Sequence, residues 1–162
     1  MKPRTEPKDV TIYTDGSCQG NPGPGGYGVV LLYKTRRKEL AGGYRFTTNN
    51  RMELMAAVVA LRALKTSCHV VLRSDSAYLV NSMIGRLPER WARNGWRSSD
   101  KKPVLNRDLW EKLVASCARH QVRFVRVRGH AGEPENERCD RLAADAARQS
   151  DLAVDWDYER EE

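Results

Sequence analysis

The feature that most constrains the fold is the order of the hydrophobic patterns. Three strand-like segments come first, and helical and strand-like segments alternate after them. Val10–Ser17, Tyr27–Lys34 and Lys38–Thr47 carry apolar or alternating runs, the last two joined by the charged turn Thr35–Arg37. Short connections join antiparallel neighbours, so these three predict a meander. A helix follows, with Asn49 or Asn50 as N-cap and Leu54, Val58, Leu61 and Leu64 on one face, ending near Thr66–Ser67. His69–Ser74 predicts a fourth strand, and Ser76–Ile84 and Asp108–His120 two helices. Gln121–Arg128 alternates as a fifth strand, and Glu135–Gln149 is an Ala-rich last helix. The expectation is an α/β fold: a mixed five-stranded sheet, in sequence order βββαβααβα, flanked by helices. Gly20–Gly28 is expected as a turn-forming loop. It lacks the Gly-Lys-Ser/Thr ending of a phosphate-binding P-loop and leads into a strand, which argues against nucleoside triphosphates.

No Pro-, Gly- or Ser-rich linker divides the 162 residues. One domain is expected over 9–150, with a flexible segment 1–8 before it and a disordered acidic tail 151–162 after it. Forty per cent apolar and 30% charged residues describe a soluble globular chain. No apolar run nears the ~18 residues of a membrane span. The N-terminal MKPRTEPKD has no apolar core for a secretory signal. Four cysteines (Cys18, Cys68, Cys117, Cys139) and three histidines (His69, His120, His130) show no zinc spacing and no disulfide framework. A reducing cytoplasm fits. With no obvious apolar surface stripe, the chain is expected to be a monomer without an obligate protein partner.

The charge is uneven. The net charge is +7, yet the last twelve residues hold six acids against Arg160, a balance of −5 that leaves +12 on residues 1–150. A body that basic suits a polyanion such as nucleic acid. The cations concentrate between Gly85 and Arg107: Arg86, Arg90, Arg93, Arg97, Lys101, Lys102 and Arg107 against Glu89 and Asp100. Trp91 and Trp96 lie among them, and cations with aromatics suit a surface that grips a phosphate backbone. The same tryptophans also read as core anchors of a protruding basic arm.

Four acids stand out. Asp15 lies in an apolar strand, Glu53 in the first turn of the first helix, Asp75 at the end of the fourth strand, and Asp140 in the last helix. A carboxylate in a buried strand costs several kcal/mol (roughly) unless it is paired or metal-bound. Oxygen ligands without a Cys or His set select Mg²⁺ or Mn²⁺. Two such ions suit in-line phosphodiester cleavage. Each acid also has a plainer reading. Asp15-Gly16 fits a turn, Glu53 fits a capping box with Asn50, and Asp75-Ser76 fits a helix cap. Asp140 fits a surface pair with Arg138 or Arg141. His130, in the Gly-flanked run Gly129–Gly132, suits either a proton shuttle or an ordinary loop histidine.

Four strings tip the balance: TDGSCQGNPGPGGYG, TTNNRMELMA, SDSAYL and RGHAGEPENERCDRLA. In family order and over roughly Val10 to Ala147, they resemble bacterial type 1 ribonuclease H. GWRSSDKKPVLNRDLW resembles the stretch after that family's basic protrusion, and residues about 86–102 resemble the protrusion itself. The resemblance implies an endonuclease that cuts the RNA strand of RNA–DNA hybrids, leaving 5′-phosphate and 3′-hydroxyl ends. It implies two Mg²⁺ ions, replaceable by Mn²⁺, held by Asp15, Glu53, Asp75 and Asp140, with His130 assisting. Cys18, Asn21, Asn49, Asn50 and Asn136 match positions that approach the RNA, whose 2′-hydroxyl distinguishes it from DNA. Thr48 and Asn106 match a pocket for a DNA phosphate, and Trp91, Arg93, Trp96 and Arg97 match the DNA-gripping arm. The chain departs from the pattern in several places. Ala77 replaces a glutamine that reaches RNA in some relatives, and Pro88 and Glu89 interrupt the protrusion. Phe46 stands where relatives can place a phosphate-pocket arginine, with Arg45 and Arg51 as candidate substitutes. Rival readings are a hybrid-binding module without catalysis and a DNA-processing member of the wider fold.

Overall fold

The computed structural model describes residues 6–128 and 132–160. β1 (Lys8–Cys18), β2 (Gly23–Tyr33) and β3 (Arg36–Thr47) form the meander, with Asp15 opposite Gly28 in the β1–β2 pair. After α1 (Asn49–Arg62), β4 (Cys68–Ser74) pairs parallel with β1. Then come α2 (Ala77–Ile84), α3 (Leu87–Arg93), α4 (Arg107–Cys117) and β5 (Gln121–Arg126), which pairs parallel with β4. α5 (Pro134–Ala147) and α6 (Trp156–Arg160) end the chain. The sheet order is β3-β2-β1-β4-β5, the mixed five-stranded sheet that the patterning predicts.

The pleat sends alternate residues to opposite faces. Val10 and Ile12 of β1, Val29 and Leu31 of β2, and Val70 and Leu72 of β4 are buried in one cluster with Leu54, Val58 and Leu61 of α1 and Leu109, Trp110 and Leu113 of α4. α5 covers the opposite face over β1 and β2.

The glycine-rich stretch corrects the expectation of a loop. Only Gln19–Pro22 connects β1 to β2, and Gly23 to Gly28 are strand residues. The reason is clearance: a Cβ on Gly26 would collide with the Ala143 carbonyl oxygen, and one on Gly28 with that of Cys139. Glycines here seat α5 directly on the strand backbone.

Three other boundaries move. Thr48, not Asn49 or Asn50, caps α1, its hydroxyl accepting from Arg51 N at 3.2 Å. α1 ends at Arg62 because the chain needs Ala63–Ser67 to return to β4. The basic segment contains α3, which begins with Pro88 near its N-terminus and at seven residues is too short to print a periodic pattern.

The tail is the largest correction. It docks rather than dangling: Ala153 N donates to Gly43 O at 3.1 Å, and Ala153 O accepts from Arg45 N at 2.9 Å. Tyr158 packs on Phe46 with ring centroids 5.6 Å apart, and Asp155 is 4% exposed. Similarly, β1 already begins at Lys8, inside the segment expected to be flexible.

Candidate active site

Asp15 emerges near the C-terminal end of β1, and its neighbour Gly16 explains how α1 reaches it. A Cβ on Gly16 would lie 2.5 Å from Glu53 N and 2.6 Å from Met52 C, so glycine lets α1 press onto the strand. That contact brings Glu53 beside Asp15. Asp75 arrives because β4 runs parallel to β1 and ends at Ser74. One carboxylate oxygen from each of Asp15, Glu53 and Asp75 lies within 4.8 Å of the others. The plainer readings of Asp15 and Glu53 fail on geometry, and the helix cap expected at Asp75-Ser76 is made by the serine. Asp15 and Gly16 are paired strand residues, and Glu53 is beyond the position of a capping-box partner to Thr48.

The electrostatics of this cluster are unfavourable in the charged form. Burial, with the charge of Asp75 adding to it, pushes the Asp15 carboxyl up to about 8. Burial and then Asp15 itself push Glu53 well above the usual carboxylate range. Glu53 is 5% exposed, and its Oε2 is buried with no hydrogen-bond partner. No cation of the protein is paired with any of the three among the described residues. Three hard oxygen donors, one of them unpartnered and shielded from water, fit a divalent cation with a preference for oxygen ligands.

Asp140 is exposed on α5 and lies outside this trio, though its charge adds to the rise at Asp15. Asn136, one turn earlier, is 3% exposed with its Oδ1 unpartnered. His130 lies outside the described residues.

The substrate-contact candidates fall into two groups. Cys18, Asn21 and Asn49 converge where the β1–β2 connection meets α1. The Cys18 thiol approaches Gly23 O at 3.5 Å and Thr47 O at 3.4 Å, and Asn21 Oδ1 accepts from Asn49 N at 2.9 Å. Asn50 and Asn106 instead line a cleft of about 310 Å³ with Tyr78, Trp91 and Leu105. Asn106, at φ 62°, donates from Nδ2 to Tyr78 Oη at 3.0 Å. Trp91 is half-buried against Trp110, ring centroids 5.5 Å apart, and Trp96 stacks under Arg107 at 5.4 Å. Both tryptophans therefore anchor the arm, while Arg93 and Arg97 on it are exposed.

Neither candidate substitute for the arginine at the Phe46 position is available. Arg45 is paired with Glu159 at 2.9 Å. Arg51 is held by Asp108 at 2.7 Å and Asp155 at 2.8 Å. The sequence reading missed Asp155 because it sits among surface acids of the tail. The apolar residues Leu152, Val154 and Tyr158, interleaved with the acids and less than fully exposed, were the available signal for docking.

Solved structures share this architecture. LC9-RNase H1, a type 1 RNase H with the type 2 active-site motif, aligns with a TM-score of 0.80 at 35% identity, over 98% of this chain and 82% of its own. LC11-RNase H1, solved in complex with RNA/DNA hybrid, aligns at 0.66 with 28% identity, over 85% and 96%. Fold and site thus define a nuclease of the ribonuclease-H-like class. The RNase H family model matches residues 7–148. Ribonuclease H of Syntrophus aciditrophicus (strain SB) is 58% identical over 151 residues, 93% of this chain and 87% of that protein. Ribonuclease H of Escherichia coli O139:H28 is 57% identical over 140 residues, 86% and 90%. The chain belongs to the RNase H family and is a ribonuclease.

Proposed function

We propose that this ribonuclease hydrolyses the RNA strand of RNA–DNA hybrids internally, leaving 5′-phosphate and 3′-hydroxyl ends, with two Mg²⁺ ions that Mn²⁺ can replace. The observation that carries the reading is the Asp15–Glu53–Asp75 cluster, with Asp15 and Glu53 buried, mutually repelling and paired with no protein cation among the described residues. Asp15, Glu53 and Asp75 would hold the ions, with Asp140 completing the second site from α5. When bound, such ions activate water and stabilise the leaving oxygen of a phosphodiester.

The remaining residues bind and orient. Cys18, Asn21, Asn49, Asn50 and Asn136 present amide, thiol and backbone groups to the RNA strand, whose 2′-hydroxyls both donate and accept. Thr48 and Asn106 take a DNA phosphate, and the arm carrying Trp91, Arg93, Trp96 and Arg97 grips the DNA side. His130 moves a proton or helps product leave. The enzyme works as a monomer in the cytoplasm. No helix among the described residues is long and apolar enough to cross a membrane.

The test is end-labelled RNA annealed to DNA, incubated with Mg²⁺ or EDTA beside single-stranded RNA, duplex RNA and duplex DNA. Internal cuts only in the hybrid, and only with metal, are expected. Intact hybrid that nevertheless binds tightly would leave a binding module, and cut DNA would point to the DNA-processing branch of the fold.

A further inference from the structure

We infer that Arg126 and Arg128 form a subsite for an RNA-strand phosphate next to the one being cut. The inference deepens the proposed function and rests on it. Asp75, Arg126, Val127 and Arg128 line a cleft of about 510 Å³. β5 places them there. Arg126 is the residue paired with Ser74, immediately before Asp75, and Val127 N donates to Ser74 O at 3.0 Å, carrying the strand geometry one residue further. Residues two apart on an extended chain share a side. Arg126 and Arg128 are both exposed, while Val127 between them is 7% exposed and turns inward.

Charge makes the cleft an anion site. Arg37, Arg45, Arg51, Arg107 and Arg138 are all neutralised by carboxylates. Among the described residues, no ion pair engages Arg126 or Arg128. Two guanidiniums therefore outweigh the single carboxylate of Asp75 in the cleft. Guanidinium forks match phosphate oxygens in geometry as well as charge.

Position selects which phosphate. Asp75 belongs at once to this cleft and to the carboxylate trio. An anion held here lies beside the reacting phosphodiester, where the next phosphate of the same strand falls.

The experiment measures hybrid binding in EDTA across a salt series, and cleavage with Mg²⁺, for Arg126→Ala, Arg128→Ala, the double variant and Arg126→Lys. Arg62→Ala, exposed at the far end of α1, is the control. Expected for the double variant are an approximately tenfold rise in Kd and KM with kcat little changed. The salt slope should fall by about one phosphate contact. Arg126→Lys should keep the slope and lose only part of the affinity. Hybrids carrying one neutral methylphosphonate then locate the contact. At an RNA phosphate flanking the cut, the neutral linkage should weaken wild-type binding and add nothing to the double variant. Penalties that add at every position, or that overlap only at a DNA phosphate, overturn the subsite, as does an unchanged Kd and slope. Failure of wild type to cut a hybrid it binds refutes the proposed hydrolysis instead, while the binding series still decides the subsite.

Discussion

Arg51 and Glu53 stand two residues apart on α1, and each sits in a buried cluster of charges. Arg51 is 3% exposed and Glu53 is 5% exposed. Around Arg51 each charged group has a partner of opposite sign. Its Nε and Nη2 donate to Asp155 at 2.8 and 3.0 Å, and Nη1 and Nη2 donate to Asp108 at 2.9 and 2.7 Å. The Thr47 hydroxyl donates to Asp155 Oδ2 at 2.7 Å, adding another bond to the same carboxylate. Around Glu53 no cation among the described residues balances the charge: Asp15 and Asp75 add like charge, and Glu53 Oε2 has no partner. Burial is equal in the two clusters, so burial does not distinguish structure from function. The missing countercharge does. A cluster complete in itself holds the tail to the domain, whereas one that is incomplete needs something from outside.

Breaking the incomplete cluster should have the largest effect, and in opposite directions on two readouts. Asp15→Asn should lower hybrid cleavage by roughly 10³-fold or more, the upper range for losing a group that organises transition-state charge. The same change should raise the melting temperature in EDTA, because it removes a carboxyl that must take up a proton to be buried beside Glu53 and Asp75. Wild type should gain more stability from millimolar Mg²⁺ than the variant does. A variant that loses activity with Mg²⁺ and is also less stable than wild type in EDTA would show that the acids are not in repulsion.

Breaking the complete cluster should act mainly on folding, with a smaller effect on hybrid binding through Asn106, whose Oδ1 accepts from Arg51 Nη1 at 3.3 Å. Arg51→Ala leaves Asp155 buried without its cation, a loss of about 3–5 kcal/mol. For a domain of this size that lowers the melting temperature by about 10 °C. Arg51→Lys should rescue it only in part, since a single ammonium cannot fork to two carboxylates. Differential scanning calorimetry checks both. Per-molecule cleavage well below the folding temperature should survive Arg51→Ala far better than it survives Asp15→Asn.

A smaller change strikes both clusters through the backbone. Gly16→Ala puts a methyl group against Glu53 N and Met52 C, so α1 must lift from β1. Overpacking of this kind costs about 1–3 kcal/mol. It should weaken Mg²⁺ binding, measured by calorimetric titration, because Glu53 retreats with the helix.

The two clusters also differ in how far the sequence betrayed them. The sheet was legible because each buried strand prints its own period, and Asp15 and Asp75 stood out as acids in or beside apolar strands. Glu53 looked like a capping residue until Thr48 proved to be the cap. The Arg51 cluster was hidden because its partners are Asp108, in a helix start where acids are ordinary, and Asp155, in a run of tail acids. Only tertiary contact separates one acid of such a run from its neighbours. The glycines of β2 misled for a related reason: their role is to admit α5, and a partner helix leaves no local mark on the strand it covers.

The finest test of the contrast is the pH dependence of stability, where the two clusters carry opposite signs. Asp15, pushed by burial and by Asp75 up to about 8, and Glu53, also raised, keep protons in the metal-free folded state that the unfolded chain releases near pH 4. Their contribution is fully present below that value and is lost as pH rises towards 8. At Asp108, burial pushes the carboxyl up, but the hydrogen bonds and charge of Arg51 outweigh it and hold it below the ordinary value. Its contribution is present above pH 4 and is lost as pH falls through its folded value. In EDTA the wild-type melting temperature should therefore decline by a few degrees between pH 5 and pH 8. Asp15→Asn should flatten that limb, and Arg51→Ala should flatten the acid limb instead. Mg²⁺ should suppress the decline at high pH, because its ligands bind deprotonated. A wild-type profile in EDTA as flat as that of Asp15→Asn would mean that the three carboxylates are not held together without metal, and the asymmetry between the clusters would vanish.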